Sequence, residues 1–379
     1  MPNKPTWDIF CVVIDNFGDI GVAWRLARQL VAEHGVAVRL WVDDLDTFST
    51  LHPEASSELE QQICEGVEVH HWSKVWLDTE PADVVIEAFA CELPSAYIDA
   101  MKNSERCILW LNLEYLSAEN WIVDCHGLPS LQSGGLQKYF FFPGFASGTG
   151  AIIREHDLLA RRRAFQDSIS AREVFLSELG IVPIDGAQLI SLFAYENPAI
   201  SDWLDAMSLA DRPTQLLIPA GRVLDDVAGW LGVIQLGVGD SYRRGSLDIT
   251  VLPFLTQDQY DQLLWCCDFN AVRGEESFVR AQWTGKPLVW HIYPQDESAH
   301  WVKLDAFFQL YSSNLAVEAR SALYDFWCAW NSGQGAGKAW LCLGQYESVL
   351  GDHAEYWVRR QEANGDLAGK LVSFHADWL

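Results

Sequence analysis

Short apolar runs alternate with amphipathic stretches twice along this chain, and that pattern limits its fold more than any single residue does. In the first half the strand-sized runs are Asp8–Ile14, Val36–Val42, Asp83–Phe89, Cys107–Leu113 and Lys138–Phe142. Helical patterns fall between several of them, for example Val22–Glu33, which stops at His34-Gly35 with glycine as the expected terminator. Strands separated by helices pair in parallel, with helices over both faces of the sheet. One long predicted helix, Arg154 to Leu179, ends at Gly180, and the pattern then restarts. The second set of strands is Leu189–Ala194, Gln215–Ile218, Leu247–Leu252, Phe269–Val272 and Leu288–Ile292. Between them lie helices from Asn197 to Met207, Val223 to Leu231, Gln257 to Cys267 with Thr256 as cap, and Glu275 to Thr284. The expectation is an α/β chain of two Rossmann-like domains facing across a cleft. They occupy residues 1–180 and 181–355, and the segment 356–379 packs back on the first.

Composition narrows the function classes. Of 379 residues, 49% are hydrophobic and 21% charged, which is a globular balance and not a disordered one. The longest apolar runs, Phe10 to Ile14 and Val84 to Ala90, fall short of the roughly 18 residues of a membrane span. Met1-Pro2-Asn3-Lys4-Pro5 carries no apolar signal-peptide core, so a cytoplasmic protein without a membrane partner is expected. With 26 basic against 52 acidic residues, the net charge of −26 argues against nucleic acid as a partner. It suits a basic partner, or simply a well-solvated surface. Nine cysteines, with one adjacent pair at Cys266-Cys267 and no C-x-x-C, read as reduced and mostly buried thiols, among them Cys11, Cys91 and Cys107.

Directly after the first apolar run comes Asp15-Asn16-Phe17-Gly18-Asp19-Ile20-Gly21. It reads as a tight glycine turn leading into a helix near Val22, at the carboxyl lip of the sheet, where open α/β folds build their sites. Nucleotide-binding turns place bare backbone against a pyrophosphate. Two carboxylates there would repel one, so this loop suits a cation or a proton to be removed. The plainer reading stands beside it: Asp19 as helix cap and Asp15 as turn former.

The second half carries a different cluster, Arg273-Gly274-Glu275-Glu276-Ser277, at a predicted strand-to-helix junction. A helix start offers unpaired N–H groups, Gly274 permits close approach, Ser277 adds a hydroxyl and Arg273 a fork for phosphate oxygens. That is a candidate diphosphate cradle, or ordinary helix capping by the glutamates. Phe193 and Tyr195, and further on Phe254 and Gln257, stand at other predicted strand ends, where they could frame a nucleobase or pack as core. Asp44-Leu45-Asp46 matches a D-x-D metal spacing but leads into a polar loop, and His70-His71 has no evident third ligand, so no metal and no cofactor are expected. Gly134-Gly135 and Gly144 to Gly150 read as flexible loops. There is no G-x-S-x-G, Walker loop or dinucleotide fingerprint.

Taken in order, Asp15 to Gly21 with Trp24-Arg25, Ser191-Leu192-Phe193-Ala194-Tyr195-Glu196, and Asp268 to Ser277 resemble one family over essentially the whole length. It is the EarP family of bacterial protein-arginine rhamnosyltransferases that modify translation elongation factor P. The resemblance implies the metal-independent, inverting GT-B architecture. It implies dTDP-β-L-rhamnose as donor and one arginine of elongation factor P as acceptor, a modification that helps ribosomes through polyproline stretches. The family's acceptor-side aspartates fall on Asp15 and Asp19, the later one the general base, with Asn16, Phe17, Gly18 and Gly21 supporting them. Its donor residues fall on Phe193, Tyr195, Phe254, Gln257, Arg273, Glu275, Glu276 and Ser277, with Glu275 counted among the catalytic groups. The family cluster reads Arg-Gly-Glu-Asp-Ser, and here its fourth position is Glu276. Two other functions fit the bare residues: a GT-B transferase with another nucleotide sugar and a small-molecule acceptor, or a non-catalytic nucleotide-sugar-binding module. Binding alone needs no acidic pair, which weighs against the module.

Overall fold

The structure is a computed structural model that describes residues 4–14, 17–73, 76, 79–294 and 298–379. In chain order the first half holds β1 (Thr6–Cys11), α1 (Phe17–His34), β2 (Ala37–Val42), α2 (Leu45–Leu51), β3 (Gln61–Cys64), β4 (Val67–His71) and β5 (Val84–Ala88). It continues through α3 (Ser95–Asn103), β6 (Leu109–Leu113), α4 (Trp121–Cys125), β7 (Pro129–Leu131) and β8 (Gln137–Phe141). Next come α5 (Leu158–Gln166), α6 (Ile169–Glu178), β9 (Gln188–Leu192), α7 (Ala199–Ser208), β10 (Thr214–Pro219) and α8 (Leu224–Leu231). They are followed by β11 (Ser241–Arg244), β12 (Leu247–Leu252), α9 (Gln257–Cys266), β13 (Phe269–Arg273), α10 (Glu276–Gln282) and β14 (Leu288–His291). The chain closes with α11 (Ala299–Tyr311), α12 (Val317–Ser332), α13 (Ala336–Leu343), α14 (Glu347–Glu362) and α15 (Leu367–Trp378). Among the described residues no helix is long and apolar enough to cross a membrane.

Two compact units result, Met1–His156 with Gln361–Leu379, and Asp157–Arg360. The first holds an eight-stranded sheet in the order β3-β4-β2-β1-β5-β6-β8-β7. Its inner pairs are parallel and its two edges antiparallel. Numbering only the parallel strands, the order is 3-2-1-4-5-6, the doubly wound arrangement whose direction reverses between β1 and β5. The second unit has the order β11-β12-β10-β9-β13-β14, which reduces to 3-2-1-4-5 and reverses between β9 and β13. Buried on both faces, β5, β6, β10 and β13 are continuous in burial, as inner parallel strands must be.

A buried charge sits in the middle of the first sheet. Asp8, fully buried on β1, takes both arms of the Arg39 fork at 2.6 Å and the Trp41 indole N–H at 3.2 Å, and the Tyr97 hydroxyl donates to it as well. A buried carboxylate survives only when paired and hydrogen-bonded in this way. The second unit has its own buried pair, Arg280 on α10 with Asp261 on α9, the Nε donating at 2.8 Å.

Several expectations change. The helix read as continuous from Arg154 to Leu179 is two helices, because Ser168 caps a new start by accepting from the Ala171 N–H at 3.2 Å. Gln166 on α5 donates to the Trp265 and Thr284 carbonyls, so these helices group with the second unit and its division falls at 156/157, whereas the sequence drew it at 180. His70-His71 lie on β4, paired to Glu68 at 2.9 Å and Glu60 at 3.1 Å. Asp44 of the D-x-D spacing caps α2 by accepting from the Thr47 N–H at 2.9 Å. Cys107, expected among the buried thiols, is exposed just ahead of β6. The Gly144 to Gly150 stretch is packed, since a Cβ on Gly150 would stand 2.4 Å from the Phe141 ring.

Candidate functional site

At the first sheet's reversal the sequence-predicted loop splits between what the structure describes and what it does not. Asp15 and Asn16 lie outside the described residues. Helix α1 starts at Phe17, earlier than expected, so Gly18 and Gly21 belong to the helix and not to a turn before it. Asp19 is therefore the third helical residue and not its cap. Its side chain is 3% exposed, and Oδ2 reaches back to accept from the Ile14 N–H at 3.0 Å, tying the helix to the end of β1. A carboxylate in the first helical turn also gains from the helix dipole.

Two residues that sequence reasoning missed complete this corner. The Tyr115 hydroxyl donates to Asp19 Oδ1 at 3.3 Å, and its ring stacks on Phe89 at 4.7 Å. Phe89 and Ala90 follow β5 with φ of 59° and 57°, two successive non-glycine residues in the left-handed region. That costs on the order of 1–2 kcal/mol per residue and is held only where neighbours over-determine it. No sequence signal marks it, since neither residue is Gly, Asn or Asp. Cys11, at the end of β1, keeps its proton because burial, and then the charge of Asp19, push its thiol up.

The second sheet's reversal gathers most of the predicted donor residues. Arg273 ends β13, is 8% exposed, and its guanidinium lies 4.6 Å from the Phe193 ring and 4.7 Å from the Tyr195 ring. The two aromatic rings read as a nucleobase frame also face this arginine, a cation–π arrangement that fixes the fork. Gly221, beyond β10, leaves room for Phe193: a Cβ there would approach the ring to 3.3 Å. Gly274 turns the chain with φ of 61°, its carbonyl accepting from the Trp290 indole at 2.7 Å. Ser277 Oγ accepts from the Arg273 N–H at 3.3 Å and donates to the Arg273 carbonyl, locking the strand-to-helix junction. Glu275 and Glu276 are half-buried at the start of α10, and Gln257 Nε2 donates to Glu276 Oε1 at 3.4 Å. Phe254 is half-buried two residues beyond β12, at the same carboxyl edge. Tyr260, which the sequence did not mark, packs edge-on to Phe193 at 5.7 Å, and burial pushes its hydroxyl far up, so it stays a neutral phenol. Among the described residues no three His, Cys, Asp or Glu stand together to hold a metal ion.

Opposite charge at two equivalent fold positions is thus the geometry to be explained. The family model described as "Elongation-Factor P (EF-P) rhamnosyltransferase EarP" matches residues 7–376. The chain belongs to this family. It is 57% identical over 376 residues to a protein-arginine rhamnosyltransferase of Pseudomonas putida, covering 99% of this chain and 100% of that one. It is 37% identical over 380 residues to one of Neisseria meningitidis, covering 97% and 96%. A solved structure described as the structural basis for EarP-mediated arginine glycosylation of translation elongation factor EF-P superposes with a TM-score of 0.73 at 44% identity, covering 99% of this chain and 100% of that one. At 12% identity, the MurG of Acinetobacter baumannii matches in fold with a TM-score of 0.51 over 96% of this chain and 98% of that one. The fold is GT-B, with one α/β sheet in each unit.

Proposed function

We propose that this protein-arginine rhamnosyltransferase transfers L-rhamnose from dTDP-β-L-rhamnose to one arginine of elongation factor P, with inversion at the sugar carbon, in the cytoplasm. The observation that carries the reading is the pairing of a buried carboxylate at one sheet reversal with a buried arginine at the other, inside a chain that belongs to this family from residue 7 to 376. The first unit is then the acceptor side and the second the nucleotide-sugar side.

Guanidinium is a poor nucleophile, because its lone pairs are delocalised and its pKa exceeds about 12. Something must hold it and take a proton as the new C–N bond forms. Asp19, fixed by the Ile14 N–H and the Tyr115 hydroxyl, is the group assigned to accept that proton. Asp15 is assigned to hold the guanidinium through charge-assisted hydrogen bonds, and this rests on its sequence position alone. The arginine nitrogen attacks the anomeric carbon from the face opposite the diphosphate. The C–O bond breaks, the electron pair leaves with dTDP, and the nitrogen's proton passes to Asp19. On the donor side Arg273 supplies the positive field for the departing diphosphate, aided by the backbone N–H groups beyond Gly274. Glu275 and Glu276 line that turn, and Gln257 reaches Glu276, so the exchange of the family's Asp for Glu276 keeps an acceptor for Gln257. Phe254 and Phe193 are assigned to the thymine, and Tyr195 to the sugar side.

Intact mass of elongation factor P after incubation with this protein, dTDP-β-L-rhamnose and a chelator tests the reading. A gain of one deoxyhexose mapped to a single arginine supports it. No gain, with dTDP still bound, moves the search to other acceptors.

A further inference from the structure

Resting on the donor-site reading above, one buried side chain outside the predicted set finds a place. His291 is the last residue of β14, and β14 pairs with β13 in the register that sets His291 beside Arg273. Its ring packs edge-on to Tyr195 at 5.4 Å, so Tyr195 touches Arg273 and His291 alike. Backbone on both sides of His291 is pinned by one side chain: Asn331 Oδ1 accepts from the Ile292 N–H at 3.2 Å, and Asn331 Nδ2 donates to the Trp290 carbonyl at 2.9 Å. Such clamping is what a recognition group needs and a filler residue does not. The side chain is 6% exposed, and its Nδ1 is shut away with no hydrogen-bond partner among the described residues. That leaves Nε2 as the ring's open edge.

Burial, and then the charge of Arg273, bring the imidazole down to about 4, so the ring is neutral near pH 7 and carries one N–H. An orphaned lone pair is tolerated better than an orphaned N–H. The proton therefore belongs on Nε2, facing outward. Along the carboxyl edge of the sheet, Phe254 follows β12, Phe193 follows β9, Arg273 ends β13 and His291 ends β14. Neighbouring strands lie about 4.8 Å apart, so side chains from two adjacent strand ends can reach one diphosphate.

We propose that His291 is a donor-binding residue whose Nε2–H reads the β-phosphate of the nucleotide sugar, next to the phosphate held by Arg273. The test is titration of the full-length protein with dTDP and with dTMP, which lacks the β-phosphate, for the wild type and for His291→Gln, His291→Asn and His291→Phe. Glutamine places its amide N–H near the position of Nε2, while asparagine reaches only as far as Nδ1. The expected result is about tenfold weaker dTDP binding for His291→Phe and His291→Asn, near-normal binding for His291→Gln, and unchanged dTMP affinity throughout. Wild-type dTDP affinity in a folded His291→Phe protein, or equal losses for dTMP and dTDP, overturns the assignment and makes His291 a packing residue. If the wild type itself binds no dTDP, the donor-site reading fails with it. Melting temperatures of the variants separate misfolding from lost recognition, and His291→Gln, being polar and of similar reach, keeps the test open if His291→Phe does not fold.

Discussion

The two sheets share one winding order and carry opposite chemistry at the same topological point. In the first, the reversal between β1 and β5 holds a buried carboxylate, Asp19. In the second, the reversal between β9 and β13 holds a buried guanidinium, Arg273, between two aromatic rings. The difference teaches that the fold fixes where a group is presented, outside the carboxyl ends of the strands, and leaves the sign of the charge to a few side chains. In the proposed function the first draws a cation and takes its proton, and the second steadies an anion as it leaves.

Exchanging the carboxylate for its amide breaks the comparison most severely. Asp19→Asn keeps the acceptor for the Ile14 N–H but loses the base, and transfer in single turnover is expected to fall about 10³-fold while dTDP affinity holds. Near-normal transfer by this variant would remove Asp19 from the chemistry. Next in size is a stability effect confined to the second unit. Asp261→Ala strands Arg280 in the interior, which costs about 3–5 kcal/mol, read as a drop in the urea midpoint. The donor-side counterpart of Asp19→Asn is Arg273→Lys. Lysine keeps the charge and loses the fork and the flat face between Phe193 and Tyr195, so dTDP binding by calorimetry should weaken about 10- to 100-fold with the affinity for elongation factor P unmoved. Loss of factor binding instead would mean that the two sites are not separable. Tyr115→Phe removes one weak hydrogen bond to Asp19 and should slow transfer only a few-fold.

The smallest expected effect is a flat line. His291 faces Arg273, Glu196 and His300, and its folded value near 4 lies below the ordinary 6.5. Because that value is lowered, the ring titrates below about pH 5 and contributes no step between pH 6 and 8. A dTDP-hexose, whose diphosphate has no ionisation in that range, should therefore bind equally across it. A step near pH 6.5 that disappears in His291→Gln would show a solvated, chargeable ring.

Much of this was legible in the sequence because inner parallel strands are mostly apolar and stand out. The edge strands did not stand out. The β3–β4 hairpin turns on Glu65-Gly66, with φ of 47° and 83°, in place of the usual Asn-Gly signal, and its polar cross-strand residues Gln61, Glu68 and His70 gave no apolar run to mark it. The break at Asp167-Ser168 did carry a signal that was passed over, since both residues favour caps over helix interiors. At the sites, Asp19, Arg273 and Ser277 were readable because each lies in a short segment that directly follows an apolar run. Tyr115, Phe89 and His291 were not. A single tyrosine or histidine at a strand end carries no pattern, and its meaning comes from register and from what stacks beside it, such as Arg273 across from His291.

The first unit is not continuous along the chain. Its helix α15 packs on α1, with His375 edge-on to Trp7 at 5.7 Å and Asp366 accepting from Gln29 at 3.2 Å, yet the whole of Asp157–Arg360 is made in between. Synthesis therefore delivers the sheet of the first unit early and its last helix only after the whole second unit, so the first unit cannot close before the full chain is made.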